Sequence, residues 1–169
     1  ATRENAFGVM TAEDKIDVLK TDDKVCEIIP KGSKEGGIMP TAGIAAGGKQ
    51  WIHYQIIRSK EFGAGLWRGW SAGLASSDDG VTWTRTDVAF DKNGNFMQVA
   101  FLKEGGYVYM FGSKVGRGNE ENVAVADEHY VKLARCPENE MGTQNSWKYW
   151  NGSDWVDGES NAIPIIYTG

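Results

Sequence analysis

The stretch SSDDGVTW, Ser76 to Trp83, decides how the rest of the chain reads. Its spacing is S-x-D-x-G-x-T-W, with an acid, a glycine and a Thr-Trp pair at fixed offsets. Asp78 is placed to accept hydrogen bonds from the N–H groups of a tight reversal. Gly80 supplies the φ > 0 conformation such a reversal needs. Thr82 opens a strand, and Trp83 folds back under the turn. Ser76, Asp78, Gly80, Thr82 and Trp83 are therefore expected to form a structural hairpin turn, with Asp78 and Trp83 serving stability and not chemistry.

Short β-rich runs bounded by Gly, Asn, Asp and Ser lie on both sides of this turn. They are residues 50–59, 71–76, 81–90, 96–103, 107–114, 129–136 and 146–150. The chain holds 22 glycines, seven Trp, six Tyr and six Phe, and long 3.6-residue periodicity is scarce. The single helical candidate is TAEDKIDVLK (11–20), where Thr11 and Asp14 imitate a capping box and Ile16 pairs with Leu19; a strand is the alternative. Runs also repeat: Ile52-His53-Tyr54 corresponds to Tyr109-Met110-Phe111 at an offset of 57, and Gly73-Leu74-Ala75 to Lys132-Leu133-Ala134 at 59. Each unit reads as four strands joined by turns. The expected fold is all-β, a β-propeller of four-stranded antiparallel blades, with blade-like units over about 38–90 and 95–150 of one domain spanning 1–169. A β-sandwich with self-similar hairpins is the alternative.

Composition bounds the function. Eighteen Lys and Arg stand against 23 Asp and Glu, a net charge of −5, and no basic run exceeds two residues. That balance argues against a nucleic-acid or anionic-membrane surface. No apolar run reaches the ~18 residues that span a bilayer. Cys26 and Cys136 belong to no C-x-x-C pair, so neither a zinc nor a redox motif is expected, and no cofactor or metal. They are two buried thiols or one long-range disulfide. The chain opens at Ala1 with no signal peptide, as a mature secreted protein or a portion of a longer one would.

The turn SSDDGVTW resembles the Asp-box of sialidase-type propeller blades. A wider resemblance covers about residues 38–150. IMPTAGIAAGGKQWIHYQI, LWRGWSAGLASSDDGVTW and NFMQVAFLKEGGYVYMFGSKVGR, in that order, with weaker similarity at RENAFGVM, are similar to the actinobacterial DUF4185 family. The resemblance implies a five-bladed propeller and endo-acting hydrolysis of D-arabinan in the mycobacterial and corynebacterial cell wall, hence a secreted or wall-associated protein with that polysaccharide as its partner. A G-D-T-F-G-like block that precedes Arg3…Asn5 in the family is missing here. At roughly 57 residues per unit, 169 residues make about three blades. The chain is thus expected to be an internal portion of a longer protein, able to self-associate through open blade edges, and a catalytic acid carried by the missing block is missing with it.

Glycoside hydrolysis needs two carboxyls, about 5–5.5 Å apart when retaining and about 6.5–9.5 Å when inverting. The acids outside obvious turns are Glu35, Glu61, Asp91, Glu120 and Glu121. Glu61, in a Gly-rich loop with Trp67 and Trp70, and Asp91 are the catalytic candidates, each with a bland alternative as a loop or turn charge. Expected substrate contacts are His53 and Tyr54 on one strand, Trp67 and Trp70, Asn95, Phe96 and Gln98 entering the next unit, and Arg117. His53 serves equally well as a hydrogen-bonded core histidine, and Arg117 as a structural residue. Trp147 and Trp150 are expected to pack. Two other functions stay open. One is a propeller that holds polysaccharide without cutting it. The other is a sialidase-like hydrolase, against which the arginines (Arg3, Arg58, Arg68, Arg85, Arg117, Arg135) are scattered.

Overall fold

The computed structural model describes residues 8–12, 15–18, 20–21, 24–25, 27–58, 68–90, 94–114 and 130–167. Their regular structure is β, with two short 3-10 turns and no α-helix among them. Four strands come first: β1 (Gly8–Ala12), β2 (Lys15–Val18), β3 (Lys20–Thr21) and β4 (Lys24–Val25), paired antiparallel as β1–β2 and β3–β4. The helix candidate over 11–20 is thus corrected to strands. Lys15-Ile16-Asp17-Val18 alternates polar and apolar, a period of two that outweighs the weak capping signal at Thr11.

The first large sheet is a four-stranded meander of β5 (Gly37–Ala46), β6 (Lys49–Arg58), β7 (Arg68–Ser77) and β8 (Thr84–Phe90), all antiparallel. The second runs through β9 (Gln98–Glu104), β10 (Tyr107–Ser113), β11 (Tyr130–Pro137), β12 (Lys148–Trp150) and β13 (Trp155–Val156), again antiparallel. A last strand, β14 (Pro164–Tyr167), pairs with the start of β11, whose far end pairs with β12. Two-residue hairpins at Gly47-Gly48 and Gly105-Gly106 join β5 to β6 and β9 to β10, all four glycines at positive φ as such tight reversals require.

Alternation decides which way each strand faces. On β6, Trp51, His53 and Gln55 point toward the second sheet, while Ile52, Tyr54 and Ile56 join a smaller cluster closed by Ile28, Ile29 and Ile38. On β10, Val108 and Met110 point inward, and Tyr107, Tyr109 and Phe111 stay half-buried on the outer face. The main core gathers Leu74, Val88 and Phe90 from the first sheet with Val99, Val108, Met110, Ala134 and Cys136 from the second. Cys136 is free and buried, and burial pushes its thiol up to about 12, which makes it an inert packing residue. Cys26 lies outside the described residues.

The turn after β7 is tied by Asp79. Its Oδ1 accepts the N–H groups of Val81 (2.8 Å) and Thr82 (2.7 Å) and the Ser77 hydroxyl (2.9 Å), whose oxygen in turn accepts the Gly80 N–H (2.9 Å). Those bonds hold the Asp79 carboxyl well below the usual range, the Thr82 N–H contributing most. The Trp83 indole N–H closes onto the Gly80 carbonyl at 3.3 Å, and Gly80 sits at φ +75° as expected. Asp78, expected in this role, points outward to an exposed ion pair with Lys49, and Ser77 takes the place expected of Ser76. Of the two adjacent aspartates, Asp79 is the one whose carboxylate reaches the N–H groups of the turn. We predict that Asp79→Ala lowers the melting temperature clearly, whereas Asp78→Ala, which removes only an exposed ion pair, costs less than about 1 kcal/mol. Thermal unfolding of the two variants checks this, and equal losses would contradict the assignment.

Candidate functional site

Strands β6, β8 and β10 end, and β7, β9 and β11 begin, at corresponding ends of the two sheets, and Asn95, Phe96 and Gln98 enter β9 there. β5 and β9, the first strands of the two meanders, lie side by side. The turn Asn95-Phe96-Met97 enters β9 at that seam, with Phe96 and Met97 fully buried. Three features fix it. Gly112 of β10 leaves room for the Phe96 ring; a Cβ there would overlap it and sit 2.8 Å from the Asn95 carbonyl. Glu159, in the 3-10 turn Glu159–Asn161, accepts the Asn95 N–H at 2.6 Å. His53, fully buried, reaches from β6 to the Phe96 carbonyl at 3.0 Å.

The protonation of His53 follows from its partners. A carbonyl only accepts, so Nε2 carries the proton. Burial holds the ring neutral, its pKa pushed down to about 4 against a smaller upward pull from the Phe96 bond. Nδ1 is then an acceptor, and the Thr41 hydroxyl of β5 donates to it. The ring also packs against Phe90 and Phe101, at centroid distances of 5.6 and 6.5 Å. Of the two readings open for His53, the structure shows the satisfied core histidine, linking β5, β6 and the entry to β9.

Gln55, two residues on and on the same face, is the opposite case. It is fully buried, and neither its carboxamide oxygen nor its nitrogen has a hydrogen-bond partner. Gly69 across the ladder makes room for it, since a Cβ there would lie 2.6 Å from Gln55 Oε1. Leaving such groups unpaired costs about 1–3 kcal/mol each.

The other expected contacts divide. Asn95, Phe96 and Gln98 meet at the seam, Asn95 and Gln98 partly exposed. Phe96 is core, and its backbone carbonyl is taken up by His53. Tyr54 faces away, into the smaller cluster under Arg85 (5.2 Å), and burial raises its pKa. Trp70 lies at the same end as the seam, with the Arg58 guanidinium 4.1 Å over its ring. Trp147 is buried, its indole N–H on the Met141 carbonyl (3.1 Å), and Trp150 packs against Trp155, as expected of packing residues. Glu61, Trp67, Asp91, Arg117, Glu120 and Glu121 lie outside the described residues. Glu35 is held in a bidentate pair with Arg85 (2.9 and 2.8 Å), which lowers its pKa and fixes the 27–36 segment to β8. A carboxylate stabilised in that way is a poor general acid.

Sequence reasoning missed Thr41, Gln55 and Glu159. Gln55 carried a signal, since it shares the strand face of His53. Glu159 carried none, being outside every repeated run. Among the described residues, no group of three or more His, Cys, Asp or Glu side chains is placed to hold a metal ion, and no helix is long and apolar enough to cross a membrane.

The pH dependence of stability follows from His53. Below its ordinary value of about 6.5 the unfolded chain takes up a proton that the folded chain refuses, so stability is complete above that pH and falls as pH drops toward 4. The loss approaches about 3 kcal/mol at the lower limit. We predict that His53→Gln removes this component of the difference between urea unfolding at pH 7.5 and 4.5; an unchanged difference would contradict a neutral buried ring.

No curated protein matches the chain. The family model described as a domain of unknown function, DUF4185, matches residues 4–169. The chain therefore belongs to the DUF4185 family.

Proposed function

We propose that β5–β8 and β9–β12 are consecutive blades of a propeller, and that the chain is the polysaccharide-holding portion of a glycoside hydrolase acting on cell-wall D-arabinan. The observation that carries this reading is the repeated order of the two meanders, which sets β5 and β9 side by side and brings neutral hydrogen-bonding groups to one end. Asn95 and Gln98 offer amide donors and acceptors, and the Thr41 hydroxyl lies close by. Such groups suit sugar hydroxyls better than a charged substrate. The described arginines do not converge as a carboxylate-binding set would: Arg58 lies over Trp70, Arg85 pairs with Glu35, and Arg135 stacks between Tyr107 and Trp155. That favours arabinan over a sialidase-type substrate. The outer face of the second sheet, with Tyr109, Trp150 and Trp155 half-exposed, is the surface on which a further blade packs; left open, it draws two copies together.

Holding without cutting is favoured for this chain by the carboxyls. Hydrolysis needs two of them around one bond. Among the described residues the seam has Glu159, already bound to the Asn95 N–H. We predict that the purified chain is retarded in affinity electrophoresis through arabinogalactan, that free arabino-oligosaccharide relieves the retardation, and that no reducing ends are released. Lack of retardation would overturn the polysaccharide reading. Release of oligosaccharides would instead place both catalytic acids in this sequence, with Glu61 and Asp91 the first to substitute.

A further inference from the structure

A groove of about 560 Å³ opens between Ala89 of β8 and the Trp147–Tyr149 stretch, with Glu159 and Asp157 along one side. A second, of about 310 Å³, lies between Tyr107 and Glu140. Asn145 and Lys148 line both, so the two grooves adjoin along that shared wall on the second sheet, and together they are termed the trough. Each falls within or near the volume range of small-molecule sites, and a chain that crosses the shared wall reaches both.

The charges along this trough are already engaged. Lys148 Nζ pairs with Asp157, Glu140 accepts the Ser146 hydroxyl, and Glu159 accepts the Asn95 N–H. The Arg135 guanidinium is stacked 4.6 Å from the Tyr107 ring and 4.2 Å from that of Trp155. Two cations stand against three carboxylates, a net negative lining that disfavours an anionic ligand. Uncommitted capacity lies in the amides. Gln144 spends its Oε1 on the Ala89 N–H (2.7 Å), and its nitrogen remains a donor. Asn145 is exposed, and its carboxamide makes no hydrogen bond among the described residues. Carboxylate oxygens keep further lone pairs for hydroxyl donors. A mixture of donors and acceptors without excess positive charge suits hydroxyl groups that both donate and accept.

We propose that this trough is a second binding site, in which an extended, uncharged polyhydroxylated chain lies across Asn145 and Lys148, next to the Thr41–His53 seam with which it shares Glu159. The proposal rests on the polysaccharide reading for the identity of the chain. The test is a titration of the isotope-labelled protein with neutral D-arabinan oligosaccharides and, separately, with anionic oligogalacturonate, read by amide NMR. The expected result is shifts at the Asn145 side-chain amide and at the Lys148 and Asp157 backbone, with little response to oligogalacturonate. Asn145→Ala should weaken binding about tenfold, the loss of one or two neutral hydrogen bonds, with the melting temperature unchanged. Shifts confined to Thr41 and Gln98, indifferent to Asn145→Ala, would overturn the trough and leave the polysaccharide reading standing. No shift with either glycan, or a preference for the anionic one, would also overturn it, and the electrophoretic retardation then decides the broader reading separately.

Discussion

A carbonyl oxygen buried between two sheets must be given a donor, and here that donor is the Nε2–H of His53 bonded to Phe96. The bond joins the second strand of one meander to the entry of the next. It requires the ring to be neutral, because an imidazolium at zero exposure would carry a desolvation cost that one carbonyl and one hydroxyl do not offset. It also requires Phe96 to be seated, which depends on the missing side chain at Gly112. From the other side, Glu159 holds the adjoining N–H of Asn95. The 95–97 turn is thereby gripped by the first sheet, the second sheet and the segment that follows β13.

This grip shapes what the site can do. His53, fully committed to structure, is unavailable as a general base. Asn95 and Gln98 are positioned beside it with part of their surface open. The seam therefore presents partly exposed amides beside a histidine whose ring is spent on structure. Gln55 is the strained element, since its buried amide lacks any partner two residues from a histidine that has two. Proteins keep such groups at a cost in stability, and their clustering near functional ends is a recurrent pattern.

Strand placement was largely legible in the sequence, because runs such as 50–59 and 107–114 combine β-branched and aromatic residues with glycine punctuation. The hairpin at 76–83 was legible too, but its acid was misplaced by one residue. Two adjacent aspartates offer the same chemistry, and the choice between them rests on the backbone path of the turn, which residue types alone do not carry. The segment 11–20 was ambiguous because its capping signal and its period of two compete over four residues. His53 was visible as a buried polar residue, yet its role depends on a carbonyl 43 positions away. Backbone carbonyls carry no sequence signal, and the same limit hid Glu159, whose partner is the N–H of Asn95.

The claim on which this account rests is that His53 is a neutral ring with its proton on Nε2, shared with the Phe96 carbonyl. Nitrogen-15 chemical shifts of the His53 ring, followed from pH 7.5 downward, test it most directly. The account predicts the Nε2–H neutral form, with Nδ1 unprotonated, persisting until pH approaches about 4. A ring that is protonated on both nitrogens by pH 6, or that carries its proton on Nδ1, would contradict it.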